Sequence, residues 1–333
     1  MSIDLTVIWA LIIAFGIFAY VVMDGFDLGI GILFPAFQPG EGRNRAMNSI
    51  APFWDGNETW LVLGGGGLFA AFPLAYAIIL PATYPLVIAM LLGLVFRGVA
   101  FEYRWRDEKH RPAWDMAFSL GSLVAALSQG MILGALLQGI EVQDRAYAGS
   151  WFDWLTPYTL LTGLGTVAGY ALLGACWLYW RLDGGVQDKA RRLARRAALA
   201  TIVLMGAVSL YNVALRPEYA ERWLTAPELY YLLPLPILTG VVAIWLLRSL
   251  SKGGEATPFW LSLALFLLGM AGLGVTIWPN VVPPDVTIWD AAAPHSSQVF
   301  MLIGVAITMP LIVGYTAWAY WVFRGKVGKE GYH

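Results

Sequence analysis

Polar and charged positions along this chain are gathered into narrow bands that separate long apolar runs. A helix needs about 20 apolar residues to cross a bilayer. Nine runs meet that length: Val7–Phe34, Thr59–Leu80, Pro81–Tyr103, Ala113–Ile140, Tyr158–Trp180, Ala197–Leu215, Glu228–Leu250, Pro258–Trp278 and Ser297–Phe323. The alternation over ~10 residues that a membrane barrel requires is missing, so the pattern predicts an all-α polytopic integral membrane protein with nine transmembrane helices. The second and third runs abut, and a tight turn around Pro81 is the expected divider. The longest connections run from Pro35 to Glu58, from Glu141 to Pro157 and from Pro279 to Ser296. None holds a soluble domain, and residues 1–333 read as one transmembrane domain.

Composition agrees: 59% of residues are hydrophobic and 13% charged, about half the charge of a soluble domain. The net charge of −1 gives no electrostatic reason to expect a nucleic-acid partner. The N-terminus lacks a basic n-region, and its apolar run is too long for a cleavable signal. Cys176 is the single cysteine, which excludes an intrachain disulfide and a thiolate cluster.

The placement of basic residues adds orientation. Alternating the connections between two sides gives one side 17 Lys and Arg: Arg43, Arg45, Arg104, Arg106, Lys109, Arg111, the six from Arg181 to Arg196, Arg248, Lys252, Arg324, Lys326 and Lys329. The other side receives three, Arg145, Arg216 and Arg222, and Arg97 lies inside a run. By the positive-inside rule the crowded side is cytoplasmic, with the N-terminus outside and the C-terminus inside.

Charges within the runs are the candidates for chemistry. Asp24 and Asp27 lie in Met23-Asp-Gly-Phe-Asp-Leu-Gly, three apart and so on one helix face. An ionised Asp near the centre of a membrane helix costs roughly 2.5–3.5 kcal/mol on insertion scales. Two on one face call for a polar interior, a proton-handling role, or a structural pairing with Arg97 or backbone. Asp55 and Glu58 stand at the cytoplasmic mouth of the second run, with the spacing of an N-cap and its N3 partner. The same position suits a carboxylate that collects protons. Gly64–Gly67 lies inside an apolar run with no preceding strand, so it reads as a close helix contact and not a phosphate loop. Arg97 and Glu102, near the end of the third run, read as an ion pair or a snorkelling anchor. His110, His295 and His333 all fall in loops or at the terminus, so no histidine lies mid-span where haem ligation in a helix bundle needs it.

Three segments together resemble subunit II of the cytochrome bd-type quinol oxidases: Met23-Asp-Gly-Phe-Asp-Leu-Gly-Ile-Gly, Asn48-Ser-Ile-Ala-Pro-Phe-Trp-Asp-Gly-Asn-Glu and Phe96-Arg-Gly-Val-Ala-Phe-Glu-Tyr-Arg. Thr287-Ile-Trp-Asp290 and the stretch from Tyr315 to Trp321 match the family's last loop and last helix. The short chain is similar to the cyanide-insensitive branch. Phe53 stands where members often have His, Gly98 where many have Pro, and Glu102 where many have Asp.

The resemblance implies nine helices in two four-helix bundles plus one peripheral helix, in a bacterial inner membrane. It implies a haem-free subunit II in an electrogenic quinol:oxygen oxidoreductase of an aerobic respiratory chain. Haem b and haem d would sit on a homologous subunit I, which this chain stabilises. It further implies a cytoplasmic proton-uptake path in which Asp55 matches the entrance carboxylate and Asp24 and Asp27 match carboxylates nearby, with Glu58 beside them. Family members also bind a quinone or lipid, and some complexes carry a small single-helix accessory subunit. Two other readings fit the residues alone: a proton-coupled secondary transporter, which needs a midplane substrate site, and a purely structural scaffold.

Overall fold

The computed structural model describes residues 4–328, so Lys329 and His333 lie outside the described residues. The chain folds as α1 (Leu5–Leu33), α2 (Glu41–Asn48), α3 (Trp54–Ala71), α4 (Pro73–Arg106), α5 (Arg111–Gln138), the hairpin β1 (Val142–Gln143) and β2 (Ala146–Tyr147), then α6 (Pro157–Arg181) and α7 (Gly184–Leu215). It continues through α8 (Pro217–Leu224), α9 (Glu228–Leu232), α10 (Pro234–Lys252), α11 (Thr257–Ile277), the hairpin β3 (Asn280–Val282) and β4 (Val286–Thr287), α12 (Ile288–Ala291) and α13 (His295–Val322).

Among the described residues, eight helices are long and apolar enough to cross a membrane, and the chain is a multi-pass all-α protein. α3 answers to the second predicted run and falls outside that set. At 18 residues it is about 27 Å long, and its first turns carry Asp55 and Glu58. It lies antiparallel to α1, with Gly64 on Ile17 and Gly67 on Ile13. Two of the four glycines therefore serve that close contact, and Gly65 and Gly66 face open space.

α1, α3, α4 and α5 form one four-helix group and α6, α7, α10 and α11 a second, joined where α6 runs along α1 and α5. α13 lies against the edge of α1 and α3, exposed along most of its length. Glycines set the joint between the groups: a Cβ on Gly29 of α1 would sit 1.8 Å from the Tyr170 carbonyl oxygen of α6, and one on Gly174 of α6 2.5 Å from the Gly29 carbonyl carbon. The core on this side gathers Phe26, Phe34, Phe118 and Trp177, with Phe26 stacked on Trp177 at 4.5 Å.

Several boundaries differ from the sequence expectation. The chain breaks between α3 and α4 at Phe72-Pro73 and not around Pro81. Pro73 starts a helix, where its missing N–H costs nothing, and Pro81 and Pro85 are absorbed by a kink at Thr83 within α4. The basic stretch from Arg181 to Arg196 is almost wholly helical, because α7 begins at Gly184. Its Arg191 and Arg195 donate to the Leu250 and Ser251 carbonyl oxygens and close the end of α10. At the opposite end Arg216 donates to the Gln138 oxygen and Arg222 to those of Val275 and Thr276, closing α5 and α11 in the same way. The segment predicted at Glu228–Leu250 is divided into α9 and α10.

Candidate functional site

α1 brings Asp24 and Asp27 to one face, and both are fully buried. α4 supplies Arg97, 1% exposed, whose Nη2 lies 2.8 Å from Asp24 Oδ1 and 3.7 Å from Asp27 Oδ2. Its Nη1 donates to Glu58 Oε2 at 3.2 Å, and the guanidinium lies over the Trp54 ring at 5.7 Å. α3 adds Asn57, whose Nδ2 donates to Asp27 Oδ2 at 2.8 Å. α13 reaches in with Tyr320, which donates to Asn57 Oδ1 at 2.8 Å and stacks on Phe53 at 4.3 Å. Glu58 is the member that meets the surface, with 29% of its side chain exposed.

The cluster sets three carboxylates against one guanidinium, a formal charge of −2 if all are ionised. Both Asp24 oxygens and Asp27 Oδ1 make no aligned hydrogen bond among the described residues. Buried charge in excess of its counter-charge is costly, and such sites relieve it by holding protons.

The four proposed path residues divide in two. Asp24, Asp27 and Glu58 converge on Arg97. Asp55 is exposed on the first turn of α3, and its carboxylate meets no described residue by hydrogen bond or ion pair. The capping-box expectation fails: α3 starts at Trp54, its N-cap is Phe53 with no side-chain cap, and Glu58 turns to Arg97. Arg97 does not snorkel, and it does not pair with Glu102, which is exposed. Asn57 and Tyr320 stood inside the motifs that carried the family resemblance but had no assigned role. Their neutral polarity is a weak signal until the fold joins them.

Towards the opposite end lies a second set of polar side chains. Tyr20, one turn before Asp24, accepts from Gln129 Nε2 at 2.7 Å, and Tyr170 donates to Gln129 Oε1 at 2.7 Å. Nearer the basic end, Asp115 takes Arg43 Nη1 at 2.6 Å on one oxygen and Arg104 Nε on the other, while Arg104 Nη1 donates to Asn44 at 2.8 Å. His110 and His295 are exposed at helix ends, so the described histidines do not present a ligand set for a buried haem.

The family model described as cytochrome bd terminal oxidase subunit II matches residues 5–323. The chain is 33% identical over 364 residues to cytochrome bd-I ubiquinol oxidase subunit 2 of Escherichia coli, covering 97% of this chain and 95% of that relative. It is 26% identical over 338 residues to cytochrome bd ubiquinol oxidase subunit 2 of Bacillus subtilis, covering 97% of each. The fold is similar to a chain in the structure of the bd oxidase from Geobacillus thermodenitrificans, with a TM-score of 0.77 at 18% identity over 96% of this chain and 99% of that one.

Proposed function

We propose, from the premise that the chain belongs to the cytochrome bd terminal oxidase subunit II family, that it is the haem-free subunit of a quinol:oxygen oxidoreductase and feeds protons to its core. The haems, which supply the electron transfer to oxygen, sit on a homologous partner subunit that this chain stabilises. The basic end faces the cytoplasm, the N-terminus lies outside, and the membrane is the bacterial inner membrane. Oxidase membership takes the place of the transporter alternative.

One observation carries the proton-uptake reading: a buried cluster of Asp24, Asp27 and Glu58 around one Arg97 that reaches the surface only through Glu58. Asp55, exposed one turn earlier on α3, collects protons from the cytoplasmic surface. Glu58 receives them, and the excess of carboxylates over guanidinium lets Asp24 and Asp27 hold a proton without stranding a net cation. Asn57 and Tyr320 fix Asp27 in place from two other helices. From there the proton leaves for the partner subunit.

The test is quinol-driven oxygen consumption by the purified complex in proteoliposomes. Glu58→Gln and Asp24→Asn should slow turnover and proton uptake from the basic-end side by tenfold or more in order of magnitude, as loss of a positioned proton donor does, while haem content stays normal. Full turnover in both variants, or uptake from the opposite side, sinks the reading.

A further inference from the structure

The polar side chains do not stop at the carboxylate cluster. Tyr20 stands one helical turn from Asp24 towards the opposite end, on the same face of α1 and buried like it. Gln129 of α5 bridges Tyr20 and Tyr170. Tyr170 then heads a row of hydroxyls on one face of α6: Thr166, Thr162, Thr159 and Thr156, spaced three or four apart. That face packs on α5, where Gly130 and Gly134 let the two helices close tightly over the hydroxyls. A Cβ on Gly130 would sit 2.4 Å from Thr166 Oγ1, and one on Gly134 2.2 Å from Thr162 Oγ1. The row ends at the far surface, where Thr156 Oγ1 donates to Gln138 Oε1 at 2.8 Å. Polar side chains thus line a route from Glu58 at the basic end to Gln138 at the other.

Such a route would short-circuit an enzyme that takes protons from one side. Proton hopping requires each member to accept a proton at one atom and release one from another. Hydroxyls and carboxyls can do this. A carboxamide cannot, because its nitrogen is a donor only and its oxygen a weakly basic acceptor, so passage would need the high-energy imidic tautomer. Gln129 is the single amide between Tyr20 and Tyr170, and either orientation of that amide blocks the hop. Beyond it, the Thr166, Thr162 and Thr159 hydroxyls donate to the carbonyl oxygens of Thr162, Thr159 and Thr156, at 3.0, 2.8 and 2.9 Å, and each turns along the row by rotation about its Cβ–Oγ bond, so the row itself is no fixed block.

We infer that Gln129 is a proton insulator: its amide orders Tyr20 and Tyr170 by hydrogen bonds while closing the polar route between the carboxylate cluster and the far face. This rests on the proposed proton uptake through Asp24, and it adds that the proton must leave Asp24 sideways, since the onward direction is closed.

Gln129→Glu restores a group that takes a proton on one oxygen and gives one up from the other. Reconstituted as the full complex in proteoliposomes without quinol, this variant should let an imposed pH gradient decay several-fold faster than wild type. Gln129→Leu should stay as tight as wild type. Adding Asp24→Asn to Gln129→Glu should return the leak to wild-type level. A leak from Gln129→Glu that survives Asp24→Asn leaves the insulator standing and overturns the route through Asp24. Wild-type tightness in an assembled Gln129→Glu complex overturns the insulator. If that variant does not assemble, Gln129→His answers the same question, because imidazole relays through its two nitrogens.

Discussion

Two buried ionic clusters share α4, which supplies Arg97 to one and Arg104 to the other, and their charge ratios are opposite. Around Arg97, three carboxylates share one guanidinium. Around Asp115, two guanidiniums share one carboxylate, and both of its oxygens are engaged. The second has the composition of a clamp. Arg43 and Arg104 fasten the α2 segment and the end of α4 to the start of α5. The first lies deeper, with carboxylate oxygens that make no aligned bond among the described residues. A carboxylate with both oxygens engaged by guanidiniums resists protonation, whereas an unsaturated acidic cluster can gain and lose protons without dismantling the fold. Burial alone does not separate them; stoichiometry does.

The comparison is broken most severely at its centre. Arg97→Gln removes the one cation facing Asp24 and Asp27 and leaves buried charge unpaired, at a cost of about 3–5 kcal/mol. The complex should accumulate poorly and melt early in detergent, and Asp24→Asn added to Arg97→Gln should recover much of the loss. A wild-type melting curve for Arg97→Gln would show that the cluster holds no charge worth pairing. Asp115→Asn should cost less, about 1–3 kcal/mol, with turnover per assembled complex unchanged. A slowed turnover there would make the clamp part of the proton path. The smallest stability effect belongs to Asp55: the Asn and Ala variants should both stay within about 0.5 kcal/mol of wild type and slow oxygen consumption alike. A true N-cap would set Ala about 1 kcal/mol below Asn, so a split of that size in thermal melts would restore the capping role.

The helices were legible because lipid imposes its own length on apolar runs, and eight of the nine predicted runs correspond to helices long and apolar enough to cross. The break between α3 and α4 was misplaced because proline marks both a helix start and a tolerated kink. Only the tertiary context chose Pro73 for the first and Pro81 with Pro85 for the second. Asp24 and Asp27 were legible because charge in an apolar run is expensive. Glu58 was obscured by a local pattern that fits a capping box equally well, and a helix starting two residues early, at Trp54, was enough to release it towards Arg97. Tyr20, Gln129 and Tyr170 left no trace in the pattern, since neutral polar side chains lie in membrane helices at modest cost and their meeting depends on three helices.

The hydrogen bond from Tyr320 to Asn57 spans 263 residues of sequence. At synthesis rates of about 5–20 residues per second, roughly 13–50 s separate the appearance of its two ends at the ribosome. Asp24, Asp27, Asn57 and Arg97 are therefore in the membrane long before α13 arrives to brace them. The acidic site is finished only when α13 arrives, so a product cut short before it carries the charges without their final restraint, and the interval gives membrane quality-control proteases a window in which to recognise the unbraced site.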